Sequence, residues 1–439
     1  MAGRENDSPI AAAEPLVDLT AAAAESAAAE VPPELLAQSL GQYLRAWLQR
    51  IRSGESGVLP VLLGIIVVAV AFEIITPENS YLRASNLVYI FGLSTVYVVL
   101  ATAEIAVLLL GEIDLSIGSV ALLGGTIAFK LVQQNPGPAW PWWAAILMTL
   151  ICCGFIGAIQ GTLAARLRIP SFVVTLAGFL LFQGIIVIIL GGADGTLTVS
   201  SQVPNQSVIF NLVQGVINPV AGWIVLAVLV VIAAVALLSR ASSRRRAGLV
   251  APPVSLIVIR IVFMAAVGAG VVAICEANLP SGVPEVIPIV LGIVAVWTVL
   301  LQRTQFGRYV YAIGGNTEAA RRAGINTNRI RVMAFALCGL TAGITGIIYS
   351  SYLGSISSGV NGGQNVLNAV AAAVIGGTSL FGGRGRIMDA LLGGLVVGVI
   401  ANGLQLLGLS ASTQLMWTAL VLLAAVTVDA LTRRNRPST

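Results

Sequence analysis

Residues Gln302–Arg331 read QRTQFGRYVYAIGGNTEAARRAGINTNRIR, the longest polar interval between the hydrophobic runs of the chain. Six arginines (Arg303, Arg308, Arg321, Arg322, Arg329, Arg331) stand against one acid, Glu318. A membrane-spanning chain keeps such a loop on the cytoplasmic side. Within it, Gly314-Gly315-Asn316 interrupts, and Thr317–Ala323 reads as a short helix. Asn316 is placed to cap it, Glu318 lies in its first turn and Gly324 stops it. A short helix held between two spans suits docking of a cytoplasmic partner. A solvated positive-inside loop is the plainer alternative.

The sequence around this loop is that of a membrane protein. Of 439 residues, 57% are hydrophobic and 10% charged, and the mean hydropathy is +0.93. Soluble domains carry about a quarter charged residues. The length allows roughly ten to twelve helical spans of ~20 residues each. The net charge of +5 comes from arginines in short loops, so nucleic acid is not expected as a partner. There is no histidine and one lysine, Lys130, which removes the commonest general base and metal ligand. Cys152, Cys153, Cys275 and Cys338 lie in apolar runs without ligand spacing, so neither a disulfide framework nor a metal site is expected.

Apolar runs fall near 58–75, 87–110, 117–133, 142–165, 171–190, 217–239, 255–275, 285–301, 332–353, 366–380, 389–408 and 412–431. With the first span starting inside, alternation puts twenty of the twenty-four basic residues in cytoplasmic loops and both termini inside. Trp140, Trp142 and Trp143 then form an outer aromatic anchor. The expected organisation is a disordered cytoplasmic tail over 1–40, an interfacial amphipathic segment over 41–54, a permease-like membrane domain over 55–432 and a cytoplasmic tail over 433–439. The fold class is an all-α polytopic membrane protein with about 10–12 spans, some broken or re-entrant, and a short cytoplasmic helix. The polar stretch Gly191–Gln214 reads as a re-entrant or surface segment. Small residues at i, i+4 spacing, such as Gly339/Gly343 and Gly394/Gly398, suit close helix packing. Gly157–Leu163 and Gly398–Leu404 echo each other faintly, as in a duplicated transporter.

Gly111–Ser119, GEIDLSIGS, places Glu112 and Asp114 within a nearly continuous apolar stretch from Leu87 to Val132. Carboxylates at membrane depth face a cavity or a partner and mark broken helices along a path. Asp114 or Ser116 capping the next helix at the interface is the structural alternative.

Three motifs carry a resemblance to a known family. AIGGNTEAARRAGIN at 312–326 resembles the coupling loop of sugar ABC-importer permeases of the ribose/xylose/arabinose group. GEIDLSIGS is similar to that family's signature. So are RIPSFVVTLAG at 168–178 and AVIGGTSLFGGRGR at 373–386; the latter lacks the Lys-Ser/Thr ending of a phosphate-binding P-loop. The Arg240–Arg246 cluster and the extra apolar run after it look most like the xylose-type permeases. The resemblance spans roughly residues 55–432. It implies a passive subunit that homodimerises in the cytoplasmic membrane and docks ATPase subunits, with no cofactor of its own because ATP and Mg bind the partner. A monosaccharide would arrive from an extracytoplasmic binding protein. Coupling would fall on Gly314, Gly315, Asn316, Glu318, Ala319, Ala320, Arg321, Gly324 and Ile325. The translocation path would involve Glu104, Glu112, Asp114, Ser116, Thr175 and Asn368. The chain departs from the resemblance at Val366-Leu367-Asn368, where relatives carry an acid-Leu-Asp triplet. It departs again at Thr418, where they carry lysine, and at Glu104, where they are apolar. An ion-coupled secondary transporter using Glu104, Glu112 and Asp114 is the competing function. An intramembrane enzyme finds no support in a chain without histidine or a Ser/Lys pair in a span.

Overall fold

A computed structural model describes residues 41, 42, 45, 59–134, 137–249, 251–278, 282–360, 362–410, 412–420, 423 and 427. Both expected tails and most of the interfacial segment lie outside the described residues. Each of the twelve apolar runs contains helix. In chain order these are α1 (Leu59–Ile75), α2 (Ala84–Leu108), α3 (Ile117–Val132), α4 (Trp142–Arg166), α5 (Ser171–Leu190), α6 (Pro204–Gln214), α7 (Pro219–Arg246), α8 (Val254–Glu276), α9 (Val286–Arg303), α10 (Gln305–Gly315), α11 (Thr317–Arg322), α12 (Thr327–Leu353), α13 (Gly362–Gly376) and α14 (Ile387–Leu406). Residues 412–420 are helical as well. Eight of these helices are long and apolar enough to cross a membrane. The polar stretch after α5 is not a span: it holds a short strand, β1 (Thr196–Thr198), and the surface helix α6.

Two compact units are distinguished by internal contacts, Met1–Ser56 with Val228–Ala266, and Gly57–Ala227 with Val267–Thr439. The described part of the first holds the arginine-bearing half of α7 and the first half of α8. Its large side chains, among them Ile232, Val235 and Phe263, are exposed, as helices facing lipid require.

The second unit carries the core. α2 and α12 are its most enclosed helices, lined by Val96, Val99, Leu100, Ile105, Phe335 and Ala342. Glycine permits the closest approaches. A methyl group on Gly157 of α4 would overlap the Phe335 carbonyl of α12. One on Gly346 of α12 would overlap the Ala121 carbonyl of α3. With no water to drive association between helices, such backbone contact supplies the packing. On the face away from the arginines, β1 pairs antiparallel with β4 (Ser355–Ser357), with Leu197 opposite Ile356. A second two-stranded pair joins Val216–Ile217 (β2) to Val283–Pro284 (β3).

Two helices start inside the bundle rather than at a face. α3 follows the GEIDLS break, and α13 follows β4. Their first turns meet: a methyl group on Gly118 would overlap the Gly362 carbonyl. From there α3 runs outward, its end reaching Thr198 through a Gln133 Nε2 hydrogen bond of 2.6 Å. α13 runs the other way, with Gly376 against Asp389 of α14. Helices interrupted at this depth are tolerated where protein encloses them.

Ala320 is buried on the inner side of α11 while Ala319 is exposed. Labelling of topology therefore belongs at Ala319. A membrane-impermeant thiol reagent is expected to modify Ala319→Cys from one side of a sealed vesicle and Pro138→Cys from the other. Modification of both from one side would break the alternation of spans.

Candidate functional site

The polar loop of the sequence folds into more helix than its composition suggests. α10 precedes the short helix, opened by Thr304, whose Oγ1 accepts from the Gly307 N–H at 3.4 Å. Asn316 caps α11 as expected, its Oδ1 accepting from the Ala319 N–H at 2.9 Å. Glu318 receives Arg321 at 2.9 Å and Arg322 at 3.2 Å. These two guanidinium groups, Arg321 foremost, hold its carboxyl below the usual range. Gly324 stops the helix at φ +83°, a conformation that favours glycine. Ile325 packs against the core.

The glycines before α11 are not equivalent. Gly315 has open space where a methyl group would stand. At Gly314 a methyl group would overlap the Leu109 carbonyl, at the end of α2, and crowd the Gly383 amide. Gly383 donates to that Leu109 carbonyl at 2.9 Å. Gly382 lies against the Gly111 backbone, and the Tyr311 hydroxyl donates to the Gly385 carbonyl at 2.8 Å. Three glycine-bearing motifs, AIGGN, LLLGEID and SLFGGRG, thus close on one another backbone to backbone. Separated by 200 and 69 residues in sequence, they make a single junction.

One ion pair reinforces it. Arg331, in the first turns of α12, places Nε 2.8 Å from Glu112 Oε1. The side chains are 21% and 17% exposed. The N–H does not point along this line, since Arg331 Nε has no hydrogen-bond partner, so charge attraction rather than a directed hydrogen bond joins them.

From Glu112 the break climbs into the bundle. Asp114 reaches Cys338, whose Sγ lies 3.7 Å from Oδ2. Cys338 is seven residues beyond Arg331 on α12, about 10 Å deeper at ~1.5 Å per residue. The GEIDLS motif therefore begins at the arginine-bearing face and ends inside the membrane domain, combining the two readings of its sequence. Asp114 is 1% exposed. Its Oδ1 accepts from the Ser116 N–H at 2.8 Å and the Ser116 hydroxyl at 2.6 Å, an Asx arrangement that opens α3. Ser116 in turn accepts from Gln160 Nε2 at 2.8 Å. Glu104, fully buried one helix earlier, accepts the Asp114 N–H at 3.2 Å through Oε1. Its Oε2 has no partner. The RIPSFVVT motif fastens the far side: Thr175 Oγ1 accepts from the Leu115 N–H at 3.0 Å, and Ser171 Oγ from that of Ile113 at 3.5 Å.

Five of the six path residues expected from sequence, Glu104, Glu112, Asp114, Ser116 and Thr175, therefore sit on one polar thread. Asn368 does not. It faces a separate cleft, where Thr418 also lies, so the two positions at which the chain departs from the resembled pattern share one wall space. Gln160, Cys338 and Tyr311 were not singled out from sequence. Gln160 alone carried a signal, as an amide in the apolar run 142–165.

A bundle of apolar helices around broken, polar-threaded segments, with a capped helix displayed beside them, defines a multi-pass permease-type transport protein. The family model described as branched-chain amino acid transport system / permease component matches residues 86–287 and 262–426, and the chain belongs to that family. It is similar to the xylose transport system permease protein XylH of Escherichia coli strain K12, 36% identical over 377 residues, covering 85% of this chain and 92% of the relative. XylH of Haemophilus influenzae is 33% identical over 394 residues, covering 88% and 99%. The ribose import permease protein RbsC of E. coli K12 is 30% identical over 389 residues, covering 88% and 95%. No solved structure matches the chain.

Two substitutions separate the roles of this region. Gly314→Ala is expected to lower the melting temperature of the purified protein, costing about 1–3 kcal/mol through overpacking, whereas Gly315→Ala leaves it unchanged. Equal melting of the two variants would show that the junction is not tight. Asp114→Ala is expected to cost about 1–3 kcal/mol, because it strands the buried Ser116 donors. Asp114→Asn retains an acceptor for them and is expected to stay near the parent. A loss with Asn equal to that with Ala would mean that the charge, not the acceptor, matters.

Proposed function

We propose that this chain is the membrane-spanning subunit of an ATP-driven importer of a monosaccharide, a pentose before a hexose. The observation that carries the reading is the capped, outward-facing α11 set on the backbone junction of Gly314, Leu109 and Gly383. The names of the similar proteins, a xylose transport permease and a ribose import permease, support the substrate class. In this reading α11 sits in a groove of a cytoplasmic ATPase, which binds ATP and Mg and does the hydrolysis. The chain contributes no catalytic group and acts as a homodimer. The arginine-bearing face and both termini are cytoplasmic. On the opposite face the β1–β4 pair and α6 receive an extracytoplasmic sugar-binding protein.

The mechanism follows from stiffness. Closure of two ATPases displaces α11 and, through Gly315, α10. Because Gly314 has no slack against Leu109 and Gly383, the displacement passes to the ends of α2 and of the α13–α14 loop together. Arg331 carries α12 with Glu112. The buried thread from Glu112 to Ser116 then tilts the start of α3, and access alternates between the faces.

A second reading is an ion-coupled transporter, favoured by the buried Glu104 with its unpartnered oxygen next to Asp114. It leaves α11 without a task. The two readings part on the driving force in proteoliposomes: ATP with the ATPase enclosed, or an ion gradient without it.

Glu318→Ala removes the acid that orders Arg321 and Arg322. Gly324→Pro is incompatible with the positive φ. Both variants are expected to insert normally and to lose co-purification of the ATPase and ATP-dependent sugar uptake by about tenfold, the scale of one lost charge-assisted contact. Wild-type co-purification and uptake in both variants would remove α11 as the docking element.

A further inference from the structure

The cleft that holds Asn368 is built differently from the thread around Asp114. Its walls are α13, α14 and residues 412–420. Four polar side chains enter it: Gln364 and Asn368 from α13, and Gln414 and Thr418 from the last helix. Each pair is spaced i, i+4, so each presents one face of its helix. The remaining wall is aliphatic, with Ala371 and Ala401 leaving room beside the amides. The empty space amounts to about 400 Å³, within the range of small-molecule sites. The Tyr97 hydroxyl of α2 lies within hydrogen-bonding reach of Asn368.

Depth and charge narrow what this space suits. Val397–Leu404 of α14 line it, ten to seventeen residues above the arginine-face end of that helix at Ile387. At ~1.5 Å per residue this is about 15–26 Å from that end, in the middle-to-outer part of a hydrocarbon core ~30 Å thick. None of the lining residues is charged. An ion at this depth without a countercharge is costly. Amides and hydroxyls instead offer donors and acceptors together, which is what the adjacent hydroxyls of a sugar require. The aliphatic wall faces the C–H side of such a ring.

We infer that this cleft is the intramembrane binding site for an uncharged polyhydroxy solute, with Gln364, Asn368, Gln414 and Thr418 as its hydrogen-bonding groups. The inference rests on the importer reading for its direction of transport and adds the place and chemistry of recognition. Asn368 thereby sets specificity: amide at this position accepts a neutral pentose, and carboxylate does not.

The test uses the full chain in lipid nanodiscs, with Cys152→Ala as background and Gln364→Cys or Thr418→Cys as reporter. D-xylose is expected to slow alkylation of both reporters by 1 + [sugar]/Kd, about threefold at twice the Kd. D-xylonate, the same carbon chain bearing a carboxylate, is expected to leave the rate unchanged. Adding Asn368→Asp to either reporter is expected to abolish the protection by xylose. No slowing by D-xylose, D-ribose or D-glucose, or equal slowing by xylonate, overturns the site. ATP-driven uptake is measured separately in proteoliposomes with the ATPase. Protection without ATP-driven uptake upholds the cleft and removes the importer reading. Uptake without protection removes the cleft and leaves the importer reading standing.

Discussion

The Leu109 carbonyl is the point on which the membrane domain turns. It receives the Gly383 amide at 2.9 Å and has Gly314 pressed against it. Three chain segments, each the end of a helix, meet there with no side chain between them. Interiors packed in this way do not deform continuously; they move between discrete arrangements. A short helix with Asn316 as its cap is, alone, a surface feature. Set on this junction, it is the end of a lever whose other end is the break before α3.

That break also shows how the fold accommodates carboxylates inside a membrane domain. Each oxygen of Asp114 is met, Oδ1 by Ser116 and Oδ2 by Cys338. The unpaired backbone left where α2 ends and α3 has not begun is satisfied by Ser171, Thr175 and Glu104. Broken backbone in lipid requires such replacement partners, since each unsatisfied group costs several kcal/mol, roughly. Glu112 is met by Arg331 at the face and not in the interior, where the desolvation cost would be larger. The thread is therefore polar along its whole length but charged and paired only at its outer end.

The cleft of Gln364, Asn368, Gln414 and Thr418 lies apart from this thread. The division of labour in the proposed mechanism follows from that separation. Buried groups already engaged with one another hold and move the helices. Amides facing empty space recognise the solute. Charge placed in the first group is compatible with neutral recognition in the second.

Much of this was legible in the sequence because it is local. Apolar runs of span length mark the helices, and arginine placement orders the loops. Asn316 and Gly324 bound α11 by capping chemistry that acts within four residues. The GEIDLS, RIPSFVVT and GGTSLFGGRG motifs stood out because polar and glycine residues are expensive in apolar runs. What the sequence left open depends on distant partners. Gly314 and Gly315 are identical in kind, and only the Leu109 carbonyl, 205 residues earlier, makes one of them tight. Asp114 could cap at the interface or lie at depth, and Cys338 on α12 decides that it does both. Asn368 and Thr418, fifty residues apart, share a cleft because α13 and the last helix both pack beside α14. Local propensity selects helices and their ends; which backbone touches which carbonyl is settled by tertiary packing alone.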